Sequence, residues 1–142
     1  MITLRLLLTI AFVIPFLSCN AQTSQKEAKA ATTSSDKIEA YYFHFTARCT
    51  TCRTIEAKAK ENLETLYPNQ VKQGLITFRS LNLEEAPNKT LADKLGVSGQ
   101  TLLLVKGDQK INLTSEGFMY AVAKPEKFKE IINEKVDGLL IR

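Results

Sequence analysis

At 142 residues with 44% apolar content, the chain is long enough for one domain with its own core and too short for two. The formal net charge is only +4, and lysines alternate with glutamates on helix faces, as in Glu56/Lys60 and Lys60/Glu64, the pattern of a solvated surface. No clustered basic stripe with interleaved aromatics occurs, so a nucleic-acid partner is not expected.

The first segment reads as an export signal. Met1 to Ser18 carries Arg5 near its start, an apolar stretch from Leu6 to Phe16, and small Ser18 directly before Cys19. The apolar stretch is too short for a spanning helix. Phe16-Leu17-Ser18-Cys19 resembles a bacterial lipobox, with Phe16 where leucine is more usual. The resemblance implies cleavage before Cys19, acylation of its thiol and amine, and a stable anchor in a membrane leaflet. The alternatives are an uncleaved anchor or an ordinary signal with a chance cysteine. Residues 19–37, rich in Ala, Ser, Thr, Gln and Lys without apolar periodicity, read as a flexible tether. The folded domain is expected over residues 38–142, lipid-anchored in the cell envelope on its periplasmic side.

Ile38 to Phe45, rich in aromatic and β-prone residues on both faces, predicts a buried strand. Cys49 to Tyr67 predicts an amphipathic helix with Ile55, Ala59, Leu63 and Leu66 at helical spacing, stopped by Pro68. Leu75 to Leu83 reads as a second strand, and Pro87 to Leu95 as a second helix that ends at Gly96. Thr101 to Lys106 and Gln109 to Thr114 form a hairpin around Gly107-Asp108. Glu116 to Tyr120 reads as a strand end with a bulge; exposed, Phe118-Met119-Tyr120 would instead be a docking patch. Pro125 to Val136 predicts the last helix, with Phe128, Ile131, Ile132 and Val136 on one face. The expected order is β-α-β-α-β-β-α.

The chemistry-bearing feature is Cys49-Thr50-Thr51-Cys52 at the first strand-to-helix junction. A helix N-terminus offers partial positive charge and unpaired N–H groups, which stabilise a thiolate at the leading cysteine. Cys52 lies three residues before Ile55 and so falls on the apolar face, which suits an attacking Cys49 and a shielded, resolving Cys52. If Cys19 is lipidated, these two are the only cysteines of the mature domain, and an exported setting permits them to pair. Two alternatives stay open: an inert structural disulfide, or part of a soft-metal, arsenite-type site. A closed zinc site would need four ligands, and no metal is expected.

The chain from Ile38 onward resembles a thioredoxin-fold domain, an α/β fold with a central mixed sheet of about four strands flanked by helices. The resemblance lies in Cys49-Thr50-Thr51-Cys52, Leu81-Asn82-Leu83-Glu84 and Leu95-Gly96-Val97. More narrowly, Tyr42-Phe43-His44-Phe45, the cysteine pair, Val97 to Leu102 and Glu116 to Tyr120 are similar to a bacterial family of small thioredoxin-like proteins. That family is named for a nitrophenyl-compound nitroreductase subunit (ArsF-type). The resemblance implies a membrane-tethered thiol–disulfide exchange protein whose partner is a protein dithiol or disulfide, or a redox enzyme. The alternative is an accessory subunit of a redox complex without turnover of its own. No flavin or nicotinamide motif occurs, and no cofactor is expected.

The chain departs from the thioredoxin pattern at three places. No proline stands before the third strand, where Gly99 or Gln100 falls, so the peptide there is expected trans. Phe43 occupies the place of a buried carboxylate, and His44 beside it points to the other side of the strand as a rim residue or a proton relay. Arg48 directly precedes Cys49, where its guanidinium would favour the thiolate or attract an anionic partner. Gln100 caps a loop or, with Thr101, lines the groove beside the cysteines.

Overall fold

The computed structural model describes residues 36–141. The expected signal over 1–18, Cys19 and nearly all of the expected tether lie outside the described residues. Four strands, β1 (Ile38–His44), β2 (Ile76–Asn82), β3 (Thr101–Lys106) and β4 (Gln109–Asn112), form one sheet in the order β2-β1-β3-β4. β1 runs parallel to β2 and antiparallel to β3, and β3 and β4 make the expected hairpin. Among the described residues, five helices accompany them: α1 (Thr50–Leu66), α2 (Pro68–Lys72), α3 (Ala86–Leu95), α4 (Thr114–Tyr120) and α5 (Pro125–Leu140). No described helix is long and apolar enough to cross a membrane.

The period of two along β1 divides its side chains between two cores. Ile38, Ala40 and Tyr42 pack with Ile55, Ala59 and Leu63 of α1 and with Phe128, Ile132 and Val136 of α5. Tyr41 and Phe43 pack on the other side with Leu81, Ala92 and Val97, around α3. Both faces are covered, which is why β1 is apolar apart from Glu39 and His44. Burying a side chain such as Ile55 or Leu63 contributes about 1.5–3 kcal/mol, and each is almost fully inaccessible. Gly96 closes α3 in the left-handed conformation, with φ 76°.

The structure adds two helices to the expected order. Pro68 does end α1, but it also opens α2 as its first residue, where its missing N–H has no helical partner to lose. Glu116 to Tyr120 is helical, not a strand end. The hairpin stops at Asn112, whose side-chain oxygen accepts from the Thr114 backbone N–H at 3.0 Å and its hydroxyl at 2.6 Å, turning the chain into α4. Gly117 is not a breaker there; it is the buried contact of α4 on Ile55. α5 runs on past Val136 because Leu139 continues its buried stripe.

Candidate active site

The site forms where β1 leaves the sheet and α1 begins. Leu83 N–H donates to the His44 carbonyl at 2.8 Å, keeping the two parallel strands in register to their ends. Beyond it, the Thr46 N–H donates to the Glu84 carboxylate at 2.8 Å, and Asn82 Nδ2 donates to the Thr46 hydroxyl at 2.8 Å. Hydrogen bonds from the Thr46 hydroxyl and then from its backbone N–H hold the Glu84 carboxyl below the usual carboxylate range. The loop that carries the dithiol is thus tied to the end of β2.

Cys49 is the N-cap of α1, with extended backbone, and its Sγ accepts the Cys52 N–H at 3.3 Å. It is exposed, whereas Cys52 is buried, and the two are joined as a disulfide with Cα atoms 5.2 Å apart. The first turn of α1 contains no acidic residue to compete with a thiolate for the helix N-terminus. An accessible leading sulfur and a shielded second one are what thiol–disulfide redox chemistry needs.

Beneath the pair lies a hydrogen-bonded chain. Tyr42, fully buried on the α1 side of β1, donates through its hydroxyl to the Cys52 carbonyl at 2.8 Å. Gln100 Nε2 donates to that hydroxyl at 2.6 Å. Burial first, and the Glu56 carboxylate second, push the Tyr42 phenol up to about 12, so it remains a donor at neutral pH. Gln100 is therefore joined to the site through Tyr42. Thr101 is buried beside it, its hydroxyl donating to the Gly99 carbonyl at 3.0 Å. All described peptide bonds are trans, the ones around Gln100 included.

His44 lies on the same side of β1 as Tyr42, their ring centroids 6.2 Å apart, and its Nδ1 donates to the Phe45 carbonyl at 2.9 Å. It is buried at the rim of the sheet. Phe43 faces the α3 side and stacks on Tyr41. The Arg48 guanidinium forms an ion pair with Glu56, each side chain about one-fifth exposed. Neither Tyr42 nor Glu56 is among the site residues expected from the sequence. The signal for Tyr42 was its alternation with Phe43, which places it under α1; for Glu56 it was the four-residue step from Cys52. Among the described residues, no group of three or more His, Cys, Asp or Glu side chains comes together to hold a metal.

A mixed sheet in this order, with a Cys-x-x-Cys pair at the N-terminus of the helix that follows the central strand, defines a thioredoxin-like domain. Its cysteines stand at disulfide distance, which supports a thiol–disulfide redox function. Among solved structures, the chain is similar to thioredoxin O2 from Arabidopsis thaliana in its oxidized state, with 22% identity over 75% of this chain and 82% of that one and a TM-score of 0.47. It is also similar to the germline-specific thioredoxin Deadhead from Drosophila melanogaster, with 16% identity over 70% and 81% and a TM-score of 0.43. A malarial protein matches 52% of this chain and 74% of its own at 23% identity, with a TM-score of 0.37. No protein-family model and no curated protein matches the chain.

Proposed function

We propose that the protein is a membrane-tethered thiol–disulfide exchange protein of the bacterial cell envelope. The observation that carries this reading is the asymmetry of the pair: exposed Cys49 caps α1, and Cys52 is buried behind it. In the reducing direction, the Cys49 thiolate attacks one sulfur of a partner disulfide and displaces the other as a thiolate. Cys52 then loses its proton, attacks Cys49 Sγ and releases the second partner thiolate. The partner gains two electrons, and the domain ends as the Cys49–Cys52 disulfide. The same steps in reverse oxidise a partner dithiol. Acylation at Cys19 would keep the domain at a membrane leaflet, a role supported by Leu6 to Phe16 and the small residue before that cysteine.

Replacing Cys49 with serine abolishes exchange, and Cys52→Ser accumulates a mixed disulfide, both visible on non-reducing gels after incubation with glutathione disulfide. Full exchange by the double serine variant would end this reading.

A second reading rests on the surface of α4. Phe118 and Met119 are exposed, with Val122 just beyond them, and such a patch supports docking on a redox enzyme. In that case the domain serves as an accessory subunit, inert toward small disulfides yet co-purifying with an oxidoreductase.

A further inference from the structure

Arg48 stands directly before the nucleophilic cysteine, yet its charge is already matched. Its guanidinium pairs with Glu56, the first acidic residue of α1. Glu56 follows Cys52 by four residues and so occupies neighbouring helix surface. It also acts on Tyr42, whose hydroxyl is bonded to the Cys52 carbonyl. One carboxylate thus reaches the neighbours of both cysteines: the arginine before the first and the tyrosine beneath the second.

We propose that Glu56 is a positioning residue that governs the acidity of Cys49 by holding the Arg48 guanidinium, and that the guanidinium is shared with Cys49 when the disulfide is reduced. The proposal rests on the exchange reading above. Reduction by a partner dithiol turns the disulfide into a Cys49 thiolate and a Cys52 thiol, turns the partner into its disulfide, and releases one proton. In the oxidised form no negative charge exists at Cys49, so Glu56 is the anion available to Arg48. After reduction a second anion appears one residue from the arginine. Consecutive Cα atoms are about 3.8 Å apart, so on this proposal the guanidinium reaches the thiolate of the adjacent residue by a change of side-chain rotamer. Other ionisable groups tied to this loop are His44 on β1, whose Nδ1 is engaged by the Phe45 carbonyl, Glu84, whose carboxylate accepts the Thr46 N–H, and Arg53 of α1, whose N–H donates to the Cys49 carbonyl.

The test uses the full chain, reduced and repurified, and follows alkylation of Cys49 by iodoacetamide across pH, together with the position of the disulfide equilibrium in glutathione buffers. Glu56→Gln frees the guanidinium for the thiolate. It should move the alkylation midpoint down by about one pH unit and make the disulfide easier to reduce. Arg48→Gln should move both in the opposite direction, and Glu56→Asp should stay near the native values. In the Arg48→Gln background, Glu56→Gln should have a much smaller effect, because it acts through the arginine. An unchanged or raised midpoint in Glu56→Gln, or an equal shift with and without Arg48, overturns the proposal while native exchange leaves the functional reading standing. A native pair that glutathione and dithiothreitol fail to reduce would defeat the functional reading instead.

Discussion

Tyr42 spends one hydroxyl on two bonds, giving a proton to the Cys52 carbonyl and accepting one from Gln100. Tyr42→Phe keeps the ring in the core and removes only that link. Removing one partner of a buried hydrogen bond and leaving the other unsatisfied costs about 1–3 kcal/mol, so denaturant unfolding at neutral pH should show a loss of that size. The same hydroxyl gives a pH signature. Its pKa is raised from 10.0 to about 12 by burial, so the folded state binds the proton more tightly. Stability from this source is complete below pH 10, where neither state has ionised, and falls as pH rises toward 12, where the unfolded chain has lost its proton first. Tyr41 behaves alike for the same reason. Unfolding midpoints measured from pH 8 to 11.5 should therefore decline less steeply in Tyr42→Phe than in the native protein; parallel curves would exclude the ionisation as the cause. Glu56 shows why some of the site was hidden in the sequence. Read along the helix it pairs with Lys60 on a solvated face, but in three dimensions its partner is Arg48, eight residues back across the cysteine loop. Local spacing reports neighbours on one helix and is blind to a loop folding back.

At the scale of elements, two glycines in helices have opposite consequences. Gly117 sits where α4 meets α1, and a Cβ placed on it would stand 2.9 Å from Ile55 Cγ2. Gly117→Ala forces Ile55 or the helix to move and should destabilise by about 1–3 kcal/mol. Ile55 lies one turn beyond Cys52, so the displacement bears on the dithiol as well. Gly138 in α5 meets nothing within 4 Å and has ordinary helical backbone. Gly138→Ala should stabilise by roughly 0.5–1 kcal/mol through lost unfolded-state freedom and better helix propensity. Equal effects on thermal unfolding from both substitutions would contradict the α4–α1 contact. These glycines also mark what a sequence carries poorly. β1, α1 and the hairpin were legible because apolar periodicity and a Gly-Asp turn agreed with their tertiary setting. α4 was not, because a glycine chosen for close packing reads locally as a breaker, and the Asn112–Thr114 turn that starts it needs the hairpin's end point to be known.

For the whole molecule, the decisive question is whether the cysteine pair holds the fold together or merely rides on it. The cross-link closes a very short loop, its cysteines three positions apart. In the chain-entropy account, a loop of this size restricts the unfolded state by only about 2 kcal/mol. Against it stand two apolar cores, one on each side of the sheet, with Phe128, Ile132 and Val136 of α5 sealing the side on which α1 lies. Tyr67, at the far end of α1, adds a tie to α5 by donating to the Asp137 carboxylate at 2.8 Å. A domain of this size does not depend on a staple in the way that chains below about 70–80 residues do. A redox cycle requires this independence, since both forms must remain folded while electrons pass. Reduction with a phosphine reductant should therefore lower the unfolding free energy by no more than about 2 kcal/mol and leave the near-ultraviolet signal of the buried tyrosines in place. If the reduced protein unfolded without denaturant, the disulfide would be a structural brace. Cys49 would then owe its position at the head of α1 to stability, and exchange with a partner would destroy the domain that performs it.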